Sequence, residues 1–93
     1  MSEKTLQIPE RFDFGYHKTF TEHYQAALAS PGVTEIALDF SRVSYLDSSA
    51  LGMMVLFQKK AKSQNITVRI RGAQASAREI LMIANFDRLF DIS

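Results

Sequence analysis

The chain has no cysteine and no tryptophan, and only two histidines and two prolines among its 93 residues. Without cysteine there is no disulfide framework, no thiolate nucleophile and no cysteine-based zinc site. His17 and His23 are not at the i, i+4 spacing that stacks two ligands on one helical face, so each reads as a packing or surface residue. An excess of one charge is also missing. The formal net charge is +1, which gives no general drive toward nucleic acid, and Arg69, Arg71 and the Lys59, Lys60, Lys62 group read as solvated surface. The opening MSEKTLQIPE lacks the apolar core of a signal peptide, and no run approaches the roughly 20 apolar residues of a membrane span. Gly15, Gly32, Gly52 and Gly72 are scattered, which excludes P-loop and dinucleotide fingerprints. These absences predict a cytoplasmic domain with no cofactor, no membrane insertion and no direct contact with nucleic acid.

The residues present are 46% hydrophobic and 23% charged, the balance of one small globular domain over residues 1–93 with a single core. Leu6–Ile8 and Arg11–Phe14 predict short extended pieces separated by Pro9. Phe20, Tyr24, Ala27 and Leu28 recur at helical spacing within Lys18–Ala29, with Thr19 or Thr21 as a candidate cap and Ser30-Pro31-Gly32 as the stop. VTEIALDF, Val33–Phe40, reads as a central strand, and residues 50–62 as a second helix. Ile66–Ile70 alternates as a strand with Arg69 and Arg71 turned away from its apolar side. A third helix over Ser76–Ala84 places Ala77, Ile80, Leu81 and Ala84 on one face, stops near Asn85, and precedes a short apolar end piece through Phe90 and Ile92. Strands joined through helices by short connections require parallel pairing with right-handed crossovers. The expected fold class is therefore α/β: a small mixed sheet of mostly parallel strands, helices packed largely on one face, and a shortened N-terminal strand.

Between the central strand and the second helix lies YLDSSALG, Tyr45–Gly52. In open α/β sheets this carboxyl end is where working sites form. Ser48 or Ser49 suits a helix cap, where a side-chain oxygen would meet unpaired backbone N–H groups, and the plainest reading is that Asp47 and Ser48 end the loop and cap the helix. A serine nucleophile needs an oriented base, and the segment is not the G-x-S-x-G elbow, so an enzyme is not expected. A phosphate carried on serine suits the same corner, because helix N-termini favour anions. The following run, Leu51, Met53, Met54, Val55, Leu56 and Phe57, is wider than one core-facing stripe requires. Leu51, Met53, Met54 and Leu56 are thus candidate partner-binding residues, methionine being suited to adaptable surfaces.

VTEIALDFSRVSYLDSSALG, Val33–Gly52, resembles the STAS domain of bacterial anti-sigma factor antagonists. ERFDF, Glu10–Phe14, and ANFDRLFDI, Ala84–Ile92, extend the likeness from about residue 6 to the end. The resemblance implies partner switching. The unphosphorylated antagonist binds an anti-sigma factor that is a serine kinase of the histidine-kinase-like ATPase fold, and a sigma factor is released. Phosphorylation of Ser48 ends that binding, and a metal-dependent serine phosphatase restores it. Asp47 matches the family's adjacent acid and Asp13 the acid across the groove, with Tyr45 and Ser49 completing the switch loop. Ala50 stands where many members have glycine, and the N-terminal region is short. The family also includes stressosome-like scaffolds and soluble subunits of membrane lipid-transport ATPases, which are the alternative readings.

Overall fold

Val33–Asp39 sends alternate side chains to opposite sides, and the computed structural model, which describes residues 2–93, sets this strand (β3) at the centre of the chain's main sheet. Around it run β1 (Ser2–Gln7), β5 (Thr67–Arg71) and β6 (Asp91–Ile92) in the order β1-β3-β5-β6. A two-stranded ribbon of β2 (Arg11–Phe12) and β4 (Tyr45–Leu46) stands beside it. Every strand pairing among the described residues is parallel. Helices α1 (His17–Ala29), α2 (Ser48–Ser63) and α3 (Ala75–Ile83) make the returns that parallel pairing demands. The α/β class, the parallel order and the helices against one face of the sheet are thus as the sequence predicts.

The core lies between the helices and one face of the sheet. Ile36, Leu38 and Phe40 meet Val68 and Ile70 there, roofed by Phe20 and Tyr24 of α1 and Met54, Phe57 and Ala61 of α2. Phe57 stacks on Tyr24 with ring centroids 4.8 Å apart and meets Phe20 edge-on at 5.8 Å. Such aromatic pairs add specific geometry to the burial of apolar area.

The opposite face carries charge. Arg69 lies 3.4 Å from Glu35 and 3.3 Å from Asp91, while Arg71 lies 2.6 Å from Glu3. Ala37 is fully buried yet outside the helix-side core, in register between Thr5 and Arg69. Long arginine stems cover such a residue while their heads remain wet. Glu3 and Glu35 are register partners, and a hydrogen bond between their carboxyl groups holds Glu3 below its ordinary range and raises Glu35. Asp39 titrates below its ordinary range because its carboxylate accepts the Ser41 backbone N–H, at 2.9 Å.

Several boundaries differ from expectation. The N-terminal strand runs over Ser2–Gln7 rather than Leu6–Ile8, pairing along the whole of β3. Its first residues are exposed and polar, so hydrophobic pattern marks only Leu6 and Ile8, which reach the core. Neither Thr19 nor Thr21 caps α1. The helix follows a 3-10 turn over Phe14–Tyr16, and Asp13 caps that turn by accepting the Gly15 N–H at 2.9 Å. Gly72 has φ +73, and a side chain there would press on Ser41, 3.3 Å from the Cβ position.

Two measurements follow from this packing. Phe57→Ala removes a fully buried ring, and we expect chemical denaturation to show a loss of about 3–5 kcal/mol. Asp39 has a depressed folded pKa, so its contribution is complete above its unfolded pKa of about 3.9 and is lost as pH falls through the folded value. Thermal midpoints taken between about pH 2 and pH 7 should therefore fall less steeply on the acid side for Asp39→Asn than for the wild type.

Candidate functional site

The ribbon of β2 and β4 fixes the corner. Its inward residues, Phe12 and Leu46, are buried and are register partners. Its other register pair, Arg11 and Tyr45, projects outward, and the Arg11 guanidinium lies over the Tyr45 ring at 4.3 Å. The Ser44 and Tyr45 N–H groups donate to the Glu10 carbonyl at 2.9 and 3.1 Å, and the Asp47 N–H donates to the Phe12 carbonyl at 3.3 Å. These bonds bring Asp13 and Asp47, the residues that follow the last ribbon pair, to the same edge.

Both aspartates act as local caps. Asp47 is extended, at φ −105 and ψ 177, and its Oδ1 accepts the Ala50 N–H at 2.8 Å. Asp13 accepts the Gly15 N–H through Oδ1 and the Arg11 Nε–H through Oδ2, the latter at 2.7 Å. The cap of α2 is therefore Asp47 and not Ser48 or Ser49. A carboxylate one residue earlier reaches the N3 amide with ideal chain spacing, which leaves both serines inside the first turn. Ser48 is exposed and Ser49 is half-buried. Of the three residues suited to this cap by type, Asp47 takes the role and Ser48 and Ser49 do not, which leaves the Ser48 hydroxyl on the surface.

From Ser48 an outward line continues at i, i+4 spacing through Gly52 to Leu56, all three exposed, with Leu56 at 48%. The opposite side of α2 carries Ala50, Met53, Met54, Phe57 and Ala61 into the core. Met53 is 8% exposed and Met54 is fully buried, so neither presents a partner surface as expected. The sheet and α1 together cover a wider arc of α2 than one neighbour would, and that arc accounts for the broad apolar run. Leu51 and Val55 are half-buried flanks, and Leu56 is the apolar residue of the expected set that reaches solvent most fully.

Two residues at this corner were missed from sequence. Arg11 joins Asp13 and Tyr45 in one cluster, and Phe14 is 69% exposed and stacks on His17 at 5.8 Å. The signal was the alternation in ERFDF: Arg11 and Asp13 share one side of the chain, and YLD repeats the pattern opposite. His23 meets Tyr16 edge-on, with ring centroids 6.4 Å apart. A shallow depression of about 260 Å³ between β1 and α1, lined by Lys4, Leu6, His23 and Ala27 among others, includes none of the corner residues. Among the described residues, no group of three or more His, Cys, Asp or Glu side chains is arranged to hold a metal, and no helix is long and apolar enough to cross a membrane.

Comparison with known proteins gives a consistent result. The family model described as "Mlab, STAS domain" matches residues 2–91. A STAS-domain containing protein of Pseudomonas aeruginosa is 40% identical over 91 residues, covering 98% of this chain and 88% of that protein. Among solved structures, the anti-sigma factor antagonist SpoIIAA in its unphosphorylated form superposes with a TM-score of 0.80 at 15% identity, over 100% of this chain and 83% of that one. The Bacillus cell fate determinant SpoIIAA in the phosphorylated form gives a TM-score of 0.71 at 15% identity, covering 96% and 80% of the two chains.

The capping assignment is directly measurable. Asp47→Ala should lower stability by about 0.5–2 kcal/mol in thermal or urea unfolding, while Asp47→Asn, whose amide oxygen still accepts the Ala50 N–H, should retain most of it. Equal losses for the two variants would show that the carboxylate charge, and not the cap bond, sets the contribution.

Proposed function

The chain belongs to the STAS domain family, and from that membership we propose that it is an anti-sigma factor antagonist whose partner binding is switched by phosphorylation of Ser48. The observation that carries this reading is the exposed Ser48 in the first turn of α2, beside the capping Asp47 and at the head of the Gly52–Leu56 line. The similarity to SpoIIAA, a fold solved in both unphosphorylated and phosphorylated forms, supports a switch of the same kind. In the unphosphorylated state the α2 face binds an anti-sigma factor that is also a serine kinase of the histidine-kinase-like ATPase fold, and the sigma factor is released.

In the modification step the Ser48 hydroxyl oxygen attacks the γ-phosphorus of ATP. ADP departs, and the hydroxyl proton passes to the kinase. The product adds about −1.5 to −2 charges at neutral pH. Backbone N–H groups at the start of α2 favour that anion, so the helix need not melt. Docking is lost instead, because a strongly hydrated dianion now heads the same outward line that ends about two helical turns later at Leu56, next to the Asp47 carboxylate. A metal-dependent serine phosphatase returns the chain to its binding state.

The test uses the cognate kinase with ATP and Mg²⁺. Phosphopeptide mass spectrometry should locate one phosphate at Ser48, Ser48→Ala should bind without being modified, and Ser48→Asp should weaken binding by about tenfold or more, near 1.4 kcal/mol. The proposal fails if Ser48 stays unmodified and Ser48→Asp binds like the wild type. Co-purification with a membrane ATPase, unchanged by Ser48→Asp, would favour a transport-subunit role instead.

A further inference from the structure

Arg11 has no part in the core, and its side chain is 68% exposed, yet it is held twice. Its Nε bonds Asp13 Oδ2 at 2.7 Å, and its guanidinium lies over the Tyr45 ring at 4.3 Å. The β2–β4 register and the Asp47-to-Phe12 hydrogen bond set Asp13 at the edge where Asp47 and Ser48 begin α2. A cation is thus held at the same edge as the residue read as the phosphoacceptor, on a carboxylate with a second bond of its own to Gly15. We propose that Arg11 is the counter-ion of the modified state: when Ser48 carries phosphate, Arg11 leaves Asp13 and pairs with the phosphoryl oxygens. This deepens the switch reading and rests on Ser48 as the modified residue.

The competing interactions decide the direction. An ion pair exposed to this extent contributes little, because solvent screens it and two side chains must be held in place. A guanidinium–phosphate pair is charge-assisted, doubly charged on one side, and two-pronged in geometry. Asp13 keeps its Gly15 bond when Arg11 departs, so the 3-10 turn before α1 stays capped. Tyr45 gives the planar guanidinium a surface to slide along, since attraction to a ring face tolerates lateral displacement better than a hydrogen bond does. Without this transfer the dianion would face Asp13 and Asp47 with no side-chain cation engaged. The other titratable groups near this edge are Glu10 before β2, Arg42 in the turn before β4, His17 and Lys18 at the start of α1, and Arg78 and Glu79 on α3, which packs against β4. None of them makes the paired contacts that already hold Arg11 to this cluster. The unmodified and modified surfaces would then differ in two places, a new phosphate and a vacated Asp13.

The experiment needs no kinase. Phosphoserine is installed at position 48 by genetic encoding, and the phosphate is titrated by ³¹P NMR in the wild type, Arg11→Gln, Arg11→Lys and Arg42→Gln. Relative to the wild type, Arg11→Gln should weaken the second ionisation of the phosphate at least threefold, about half a pKa unit. Arg11→Lys should recover part of the shift, Arg42→Gln should leave it unchanged, and the Arg11 Nε–H resonance should move on modification. If Arg11→Gln shifts the titration no more than Arg42→Gln does, or the Arg11 resonance stays in place, the pairing does not form. Because the phosphate is encoded, a failed kinase assay would overturn the switch without touching this result. A null titration would remove Arg11 and leave the switch standing.

Discussion

Parallel strand pairing is the constraint on which the rest of this structure depends. A parallel neighbour cannot be reached by a tight turn, so the chain must cross back over the sheet after each strand. Right-handed crossovers send α1 and α2 over the same face, where Phe20, Tyr24 and Phe57 pack as one aromatic group above β3 and β5. The same rule brings the start of each helix to the carboxyl edge of the strands. Asp13 and Asp47 consequently lie together, each capping the element that follows it. The corner is thus a consequence of topology before it is a consequence of function.

One-sided packing has a second consequence. Parallel sheets are ordinarily covered on both faces, and this one is covered by helices on one. Its other face is made tolerable by arginines at alternate positions of β5, which reach acids on both neighbouring strands. Individually such exposed pairs contribute little, so their main effect is to shield Ala37 and the strand backbones while staying solvated. Sequence reading placed Arg69 and Arg71 on the outward side correctly, since alternation is a local property. It could not pair them with Glu3 and Asp91, because those contacts depend on register between strands distant in the chain.

The same division runs through the candidate site. Element order, the parallel sheet and the position of YLDSSALG at a strand-to-helix corner were legible, because they follow from periodicity and from chain breaks. Two assignments were not. Ser48 and Ser49 are good capping residues by type, but the cap belongs to whichever oxygen sits one residue before the helical turn, and that is Asp47. Met53 and Met54 belong to a run too broad for a single stripe, and only the fold tells whether the excess faces solvent or a second neighbour. Arg11 escaped notice for a different reason: its meaning comes from Tyr45, its parallel partner across the ribbon.

With the cap on Asp47, the Ser48 hydroxyl has no structural duty in holding the helix, and modifying it leaves the Ala50 bond in place. With Met53 and Met54 inside, the outward line from Ser48 offers one well-exposed large apolar side chain, Leu56. Burying a leucine contributes about 1.5–3 kcal/mol. Where one partner covers both Leu56 and Ser48, an apolar contribution of that size is readily offset by stripping water from a phosphate dianion, since desolvating an ion costs several kcal/mol even after relaxation. A docking face with more exposed apolar area would tolerate the same phosphate. Under the proposed switch, the narrowness of the exposed line on α2 would make binding sensitive to charge at Ser48, without any rearrangement of the core beneath it.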